Sequence, residues 1–205
     1  MFIELLGLSG VKIQTNDTII LLSPPTEKSE LKAKRAKADI VILGNPQDKT
    51  NIEAREGKIF EINEPGEYES SGIFLYSVAN PQHGECVSLL TSLTVGHTTI
   101  AHLGSLNQEL EQVQFELFEG SDILIIPVGG HGVLDAKKAV ALVEKIEPRI
   151  VIPMHAALSG LKTKYDDIEK FIKEIGAKTG EPQEKLKITK KDLPQETMEV
   201  VYLKP

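Results

Sequence analysis

Along the first third of the chain, apolar residues come in short runs with β-type composition. Phe2–Leu6, Val11–Thr15 and Thr18–Leu22 read as strands, and Asn16-Asp17 between the last two has hairpin chemistry. Ser23-Pro24-Pro25 stops the third run, because proline cannot donate to a ladder. Ser29–Lys37 is charged and tolerant of a helix. Ala38–Gly44 is continuously apolar apart from Asp39 and reads as a buried strand ending at a glycine. Lys58–Ile62, Tyr68–Tyr76, Cys86–Val95 and Thr98–Leu103 continue the β pattern, with Gly96-His97 as a tight turn.

The period then changes. Leu106, Leu110, Val113 and Leu117 are spaced by three and four, which predicts a helix over 106–118. Asp122–Val128 and Arg149–Met154 read as buried strands. Between them Asp135 is a good N-cap for a helix whose apolar face is Ala139, Leu142, Val143 and Ile146. Tyr165–Ile175 is a second amphipathic helix, stopped by Gly176. Ile188 and Met198–Leu203 close the chain with β signals. No linker, low-complexity segment or fixed-period repeat interrupts this order. It predicts one α/β domain over residues 1–205, with mixed sheets and helices packed outside.

Composition narrows the function classes. The chain has 205 residues, 40% of them hydrophobic and 26% charged, as in an ordinary globular protein. One cysteine, Cys86, excludes an internal disulfide and any cysteine-cluster zinc module. A net charge of −7 argues against general nucleic-acid binding, which needs concentrated positive surface. No basic leader and no apolar run of about 20 residues is present, so no membrane span is expected and a cytoplasmic setting is the default. The five histidines, at 83, 97, 102, 131 and 155, are too scattered for one short segment to chelate a metal.

In α/β folds, sites gather at the carboxyl ends of strands. Four ends stand out here: 44–50, His102-Leu103-Gly104-Ser105, Val128-Gly129-Gly130-His131 and Pro153-Met154-His155. From the residues alone they are better explained as ordinary loop entries, where glycine lets the chain turn, because none has a nucleophile-base-orienter spacing.

A longer collinear pattern carries more. It runs through Gly7-Leu8-Ser9, Leu22-Ser23-Pro24, Ala38–Leu43, Pro65-Gly66-Glu67-Tyr68-Glu69, His102-Leu103-Gly104, Ile125–Gly130, Leu134-Asp135-Ala136 and Glu147–His155. Over nearly the whole chain this resembles the metallo-β-lactamase-fold superfamily, in particular its small zinc-dependent hydrolases similar to ascorbate-6-phosphate lactonase. The resemblance implies a four-layer αββα sandwich of two mixed β-sheets with outer helices and a metal site at one edge. It also implies metal-assisted hydrolysis, in which zinc lowers the pKa of bound water toward roughly 7.

The family takes most of its ligands from a His-x-His-x-Asp-His loop. The corresponding positions here are Asn45, Gln47, Lys49 and Thr50, and the bridging aspartate is Ser105. Ser23 and Leu8 replace two further polar positions. His155 matches the family's last histidine, and His83 falls near another ligand position. Catalytic zinc ordinarily has three protein ligands. The expectation is therefore a degenerate, non-catalytic member without its zinc site, which acts by binding a small anionic ligand or a protein partner, with self-association as an option. The alternative is a metal-dependent hydrolase of lactones, phosphodiesters or sugar phosphates that uses a reduced or relocated zinc site drawn from His155, His83 and His131.

Single residues carry two readings each. Lys49, Gly130 and His131 line an anion pocket, or Lys49 is a solvated lysine and His131 a turn residue. His155 is a ligand, or it bonds neighbouring backbone. His102 is packed and satisfied, and His97 is a hairpin residue. Cys86 is a small apolar strand residue or a reactive thiol. Lys28, Lys32, Lys34, Arg35 and Lys37 form a solvated face or a weak acidic-partner patch.

Overall fold

Alternate residues of the central strands face two different cores, and this sorts the chain into layers. The computed structural model describes residues 1–31, 35–43, 49–81, 87–177 and 179–205, with Pro81 and Val87 described by backbone only. The first sheet contains β1 (Phe2–Leu5), β2 (Val11–Gln14), β3 (Ile19–Leu22), β5 (Ile40–Ile42), β7 (Phe60–Ile62) and β14 (Leu186–Lys187), in the order β14-β1-β2-β3-β5-β7. The second contains β8 (Gly66–Ser70), β9 (Ile73–Pro81), β10 (Val87–Val95), β11 (Thr98–His102), β12 (Ile123–Pro127), β13 (Ile150–Met154) and β15 (Glu199–Val200), in the order β15-β13-β12-β11-β10-β9-β8. A small third sheet pairs β4 (Ala36–Ala38) with β6 (Ile52–Ala54).

Ile20, Leu22, Ile40 and Ile42 of the first sheet meet Leu75, Leu89, Leu93, Ile100, Ile123, Ile125 and Ile152 of the second in one buried core. The intervening residues point outward. Leu90, Ala101, Leu124, Ile126 and Val151 join Phe118, Ala139, Val143, Ile146 and Phe171 from the helices α1 (Gln112–Phe118), α2 (Ala136–Ile146) and α3 (Ile168–Ile175). This is the predicted α/β sandwich of two mixed sheets with outer helices. Among the described residues the helices cover the second sheet. The outer face of the first packs Leu21 and Val41 against Ala36, Ala38 and Ile52 of the small sheet.

Several local expectations need correction. Tyr68–Tyr76 is not one strand: Ser71 (φ 56°) and Gly72 (φ 71°) fold it back, so β8 pairs with β9 as a hairpin. The helix expected from Leu106 begins only at Gln112, after a capping box between Glu111 and Gln114. Leu106 instead sits in a turn, where its N–H donates to Leu103 O and its carbonyl accepts from Leu134 N–H. The second amphipathic helix begins at Ile168 rather than Tyr165. The charged 29–37 segment forms no helix among its described residues, and its end becomes β4. The Asp135 cap, the apolar face of α2 and the left-handed stop at Gly176 (φ 63°) are as expected.

Candidate functional site

Parallel pairing of β11 with β12 and of β12 with β13 lines up three carboxyl ends. This brings His102, Val128-Gly129-Gly130 and His155 to one edge of the second sheet. The β1–β2 turn of the first sheet crosses them. His155 N–H donates to Leu8 O at 3.0 Å, and His102 Nε2 lies 2.9 Å from Ser9 O. Two hydrogen bonds thus tie the sheets together at this edge.

The two imidazoles differ. His102 is 1% exposed and its ring is engaged, as expected. His155 is 7% exposed, and among the described residues neither Nδ1 nor Nε2 has a hydrogen-bond partner. The backbone-bonding reading of His155 therefore holds for its amide and fails for its ring. The edge of the ring packs on Tyr165, with centroids 5.6 Å apart at 67°. Burial pushes His155 down to about 4, helped by the neighbouring charge of His102. Burial also pushes His102 down to about 4, against a raising contribution from Ser9 O. Both rings are neutral at pH 7, the state in which imidazole donates a lone pair.

The chain around His155 leaves no room to spare. A Cβ on Gly129 would stand 1.9 Å from His155 O, so only glycine lets the strand end pass. His155 itself has φ 55°. Asp166 N–H donates to Gly129 O at 2.8 Å, and its carboxylate binds Lys170 Nζ at 2.7 Å. Glu30 reaches across from the segment between β3 and β4. Its carboxylate accepts from Lys162 N–H, from Thr163 N–H at 3.3 Å and from Thr163 Oγ1 at 2.8 Å. These bonds, Lys162 N–H foremost, hold its carboxyl below the usual range.

The remaining expected site residues are dispersed. Asn45, Gln47, His83 and Cys86 lie outside the described residues, as do Lys32 and Lys34. Lys49 is exposed, its carbonyl accepting from Glu27 N–H at 3.2 Å, and Thr50 and Ser105 are partly buried. Gly130 is buried in a turn closed by Leu134 O, and a Cβ on it would come within 3.3 Å of Asp166 Oδ2. His131 is exposed in that turn with φ 51°, and His97 is exposed at the β10–β11 turn. Of the relocated trio, then, His155 is buried and His131 points to solvent. Among the described residues no three His, Cys, Asp or Glu side chains form a metal-holding group. What fits a metal here is one buried, neutral, unpartnered imidazole. Tyr165, Asp166 and Glu30 were not singled out by sequence reasoning. Tyr165 sits in a segment read as helix, and Glu30 acts on residues more than 130 positions away.

Two layered sheets with helices outside and a buried histidine at a strand end define the architecture, and the comparisons place it in a family. Residues 2–155 match the family model described as beta-lactamase superfamily domain, so the chain belongs to that family. Among curated proteins, it is 31% identical over 102 residues to a UPF0173 metal-dependent hydrolase from Staphylothermus marinus, covering 48% of this chain and 45% of that one. A UPF0173 metal-dependent hydrolase from Pyrococcus horikoshii is 30% identical over 118 residues, covering 57% and 47%. The matched region thus spans about half the length of these relatives. Among solved structures, a Thermotoga maritima protein assigned to the Zn-dependent hydrolases of the metallo-beta-lactamase superfamily shares the fold. Its TM-score is 0.79 at 21% identity, covering 98% of both chains. The metallo-beta-lactamase fold protein YhfI from Bacillus subtilis superimposes with a TM-score of 0.61 at 10% identity, covering 99% of this chain and 96% of that one.

These findings overturn the expectation of a non-catalytic, zinc-free protein. The two relatives described above are named metal-dependent hydrolases, and neither name indicates a non-catalytic member. That expectation rested on substitutions at several separate positions, Asn45, Gln47, Lys49, Thr50, Ser105, Ser23 and Leu8, whereas the ring of His155 is buried and unpartnered among the described residues.

Proposed function

We propose that this protein is a metal-dependent hydrolase with a reduced metal site in which His155 is a ligand. Its substrates would be lactones, phosphodiesters or sugar phosphates. The observation that carries the reading is the buried His155 ring, both of whose nitrogens are unpartnered among the described residues. An orphaned buried polar atom is costly unless something engages it. When bound, a zinc ion would polarise the substrate and supply hydroxide at neutral pH. The chain's own residues support this role. Burial keeps His155 neutral, Tyr165 fixes the ring plane, and the Leu8 carbonyl and Gly129 fix its backbone. His102, engaged with Ser9, braces the opposite sheet. The family match and the names of the relatives support the same class. The reading includes a cytoplasmic setting, supported by the single Cys86, which leaves no internal disulfide partner.

The test combines metal content with turnover. Protein dialysed against zinc and then against buffer is expected to retain about one equivalent and to hydrolyse bis(p-nitrophenyl) phosphate or a simple lactone. His155→Ala, checked for folding by circular dichroism, is expected to lose both. Wild-type protein that retains no zinc and turns over neither substrate would overturn the reading.

A further inference from the structure

The outer face of the first sheet holds an open groove of about 650 Å³, within the size range of small-molecule sites. Its floor includes Leu6, Ile19 and Ile52, partly buried side chains that belong to the outer cluster rather than the central core. On the second sheet the equivalent outward face is sealed by α2 and α3. Here only the two-stranded β4–β6 sheet lies over it among the described residues.

The charge at the groove is the reverse of the molecule's. Lys12, Arg35 and Lys37 line it, while Glu4 is the one acid in the lining. Glu4 is spent on Lys12, at 3.5 Å. Arg35 and Lys37 are exposed and enter no ion pair among the described residues. A locally cationic site on a chain of net charge −7 selects for an anionic headgroup. The apolar floor selects for a hydrocarbon body and excludes bare phosphate, which would leave that surface unmatched.

We propose that this groove is a binding site for amphipathic carboxylates, of the long-chain fatty-acid class. The carboxylate pairs with Arg35 and Lys37, and the chain lies on Leu6, Ile19 and Ile52. Leu5, Gly7, Leu158 and Pro205 line both this groove and the small cleft that contains His155. The bound chain therefore runs beside the candidate site without using its histidine.

The experiment is equilibrium titration with cis-parinarate, followed by its fluorescence, with displacement by palmitate and by hexadecanol. Saturable binding is expected, with palmitate displacing the probe at least about tenfold more effectively than hexadecanol. The exposed-residue variant Arg35→Glu/Lys37→Glu, shown by circular dichroism to be folded, is expected to weaken palmitate about tenfold or more. His155→Ala is expected to bind as wild type, which separates this proposal from the hydrolase reading. Absence of saturable binding, equal potency of acid and alcohol, or unchanged affinity in the charge-reversed variant would each overturn it.

Discussion

At the scale of single residues, His102 and His155 set the behaviour of this edge. Both are pushed down to about 4 from 6.5, chiefly by burial. The unfolded chain therefore binds more protons than the folded one between those values. Their contribution to stability is complete above pH 6.5 and is lost as pH falls toward about 4. In chelator-treated protein, the urea midpoint is expected to drop across that window. His102→Gln should flatten the dependence, because it removes one titrating ring and the charge acting on the other. A midpoint that stays level from pH 7 to 4 would contradict the assignment. The sequence shows both histidines at the ends of apolar runs. It does not show that one ring meets a carbonyl and the other meets nothing, since both outcomes depend on the β1–β2 turn folded over them.

Individual elements follow local chemistry where a cap or a turn residue is decisive. Asp135 Oδ1 accepts from Lys138 N–H at 3.0 Å and caps α2. Asp135→Ala is expected to cost about 1 kcal/mol in urea denaturation, with little change in slope. A loss within error of zero would mean that the cap is not supporting α2. Asp122, just before β12, shows the limit of such reading. Burial would raise its pKa, but Thr99 N–H, Lys190 and the Thr99 hydroxyl together bring it below the usual value. The apolar period from 106 to 118 was clear, yet only its last two turns are helical. Leu106 takes its hydrogen bonds from Leu103 and from Leu134 on the next loop, which a one-dimensional period does not contain. Tyr68–Tyr76 was misread for the opposite reason. β-type residues flank Ser71-Gly72 on both sides, and the turn that this Ser-Gly pair makes, with positive φ at both residues, reverses the chain.

Across the whole molecule, the two sheets are joined by the shared core and by contacts at the site edge. Glu30 is one of these, holding the 162–163 amides in the loop that carries Tyr165. Glu30→Ala is expected to speed amide exchange at Lys162 and Thr163 by hydrogen–deuterium exchange, and to spread to Tyr165 while leaving core strands protected. Unchanged exchange at 162 and 163 would show that the clasp is not formed in solution. No helix is long and apolar enough to cross a membrane among the described residues.

The sequence by itself determined the layered α/β class, the resemblance and its collinear motif, the N-cap at Asp135 and the position of His155 at a strand end. These depend on local period, on turn chemistry and on order along the chain. Only the tertiary structure decided which strand ends share an edge, that His131 faces solvent while His155 is buried and open, and that helices cover the second sheet while a cationic groove opens on the first. Each of these depends on contacts between residues far apart in the chain. Burial, desolvation and hydrogen-bond satisfaction are properties of those contacts, and no residue carries them alone.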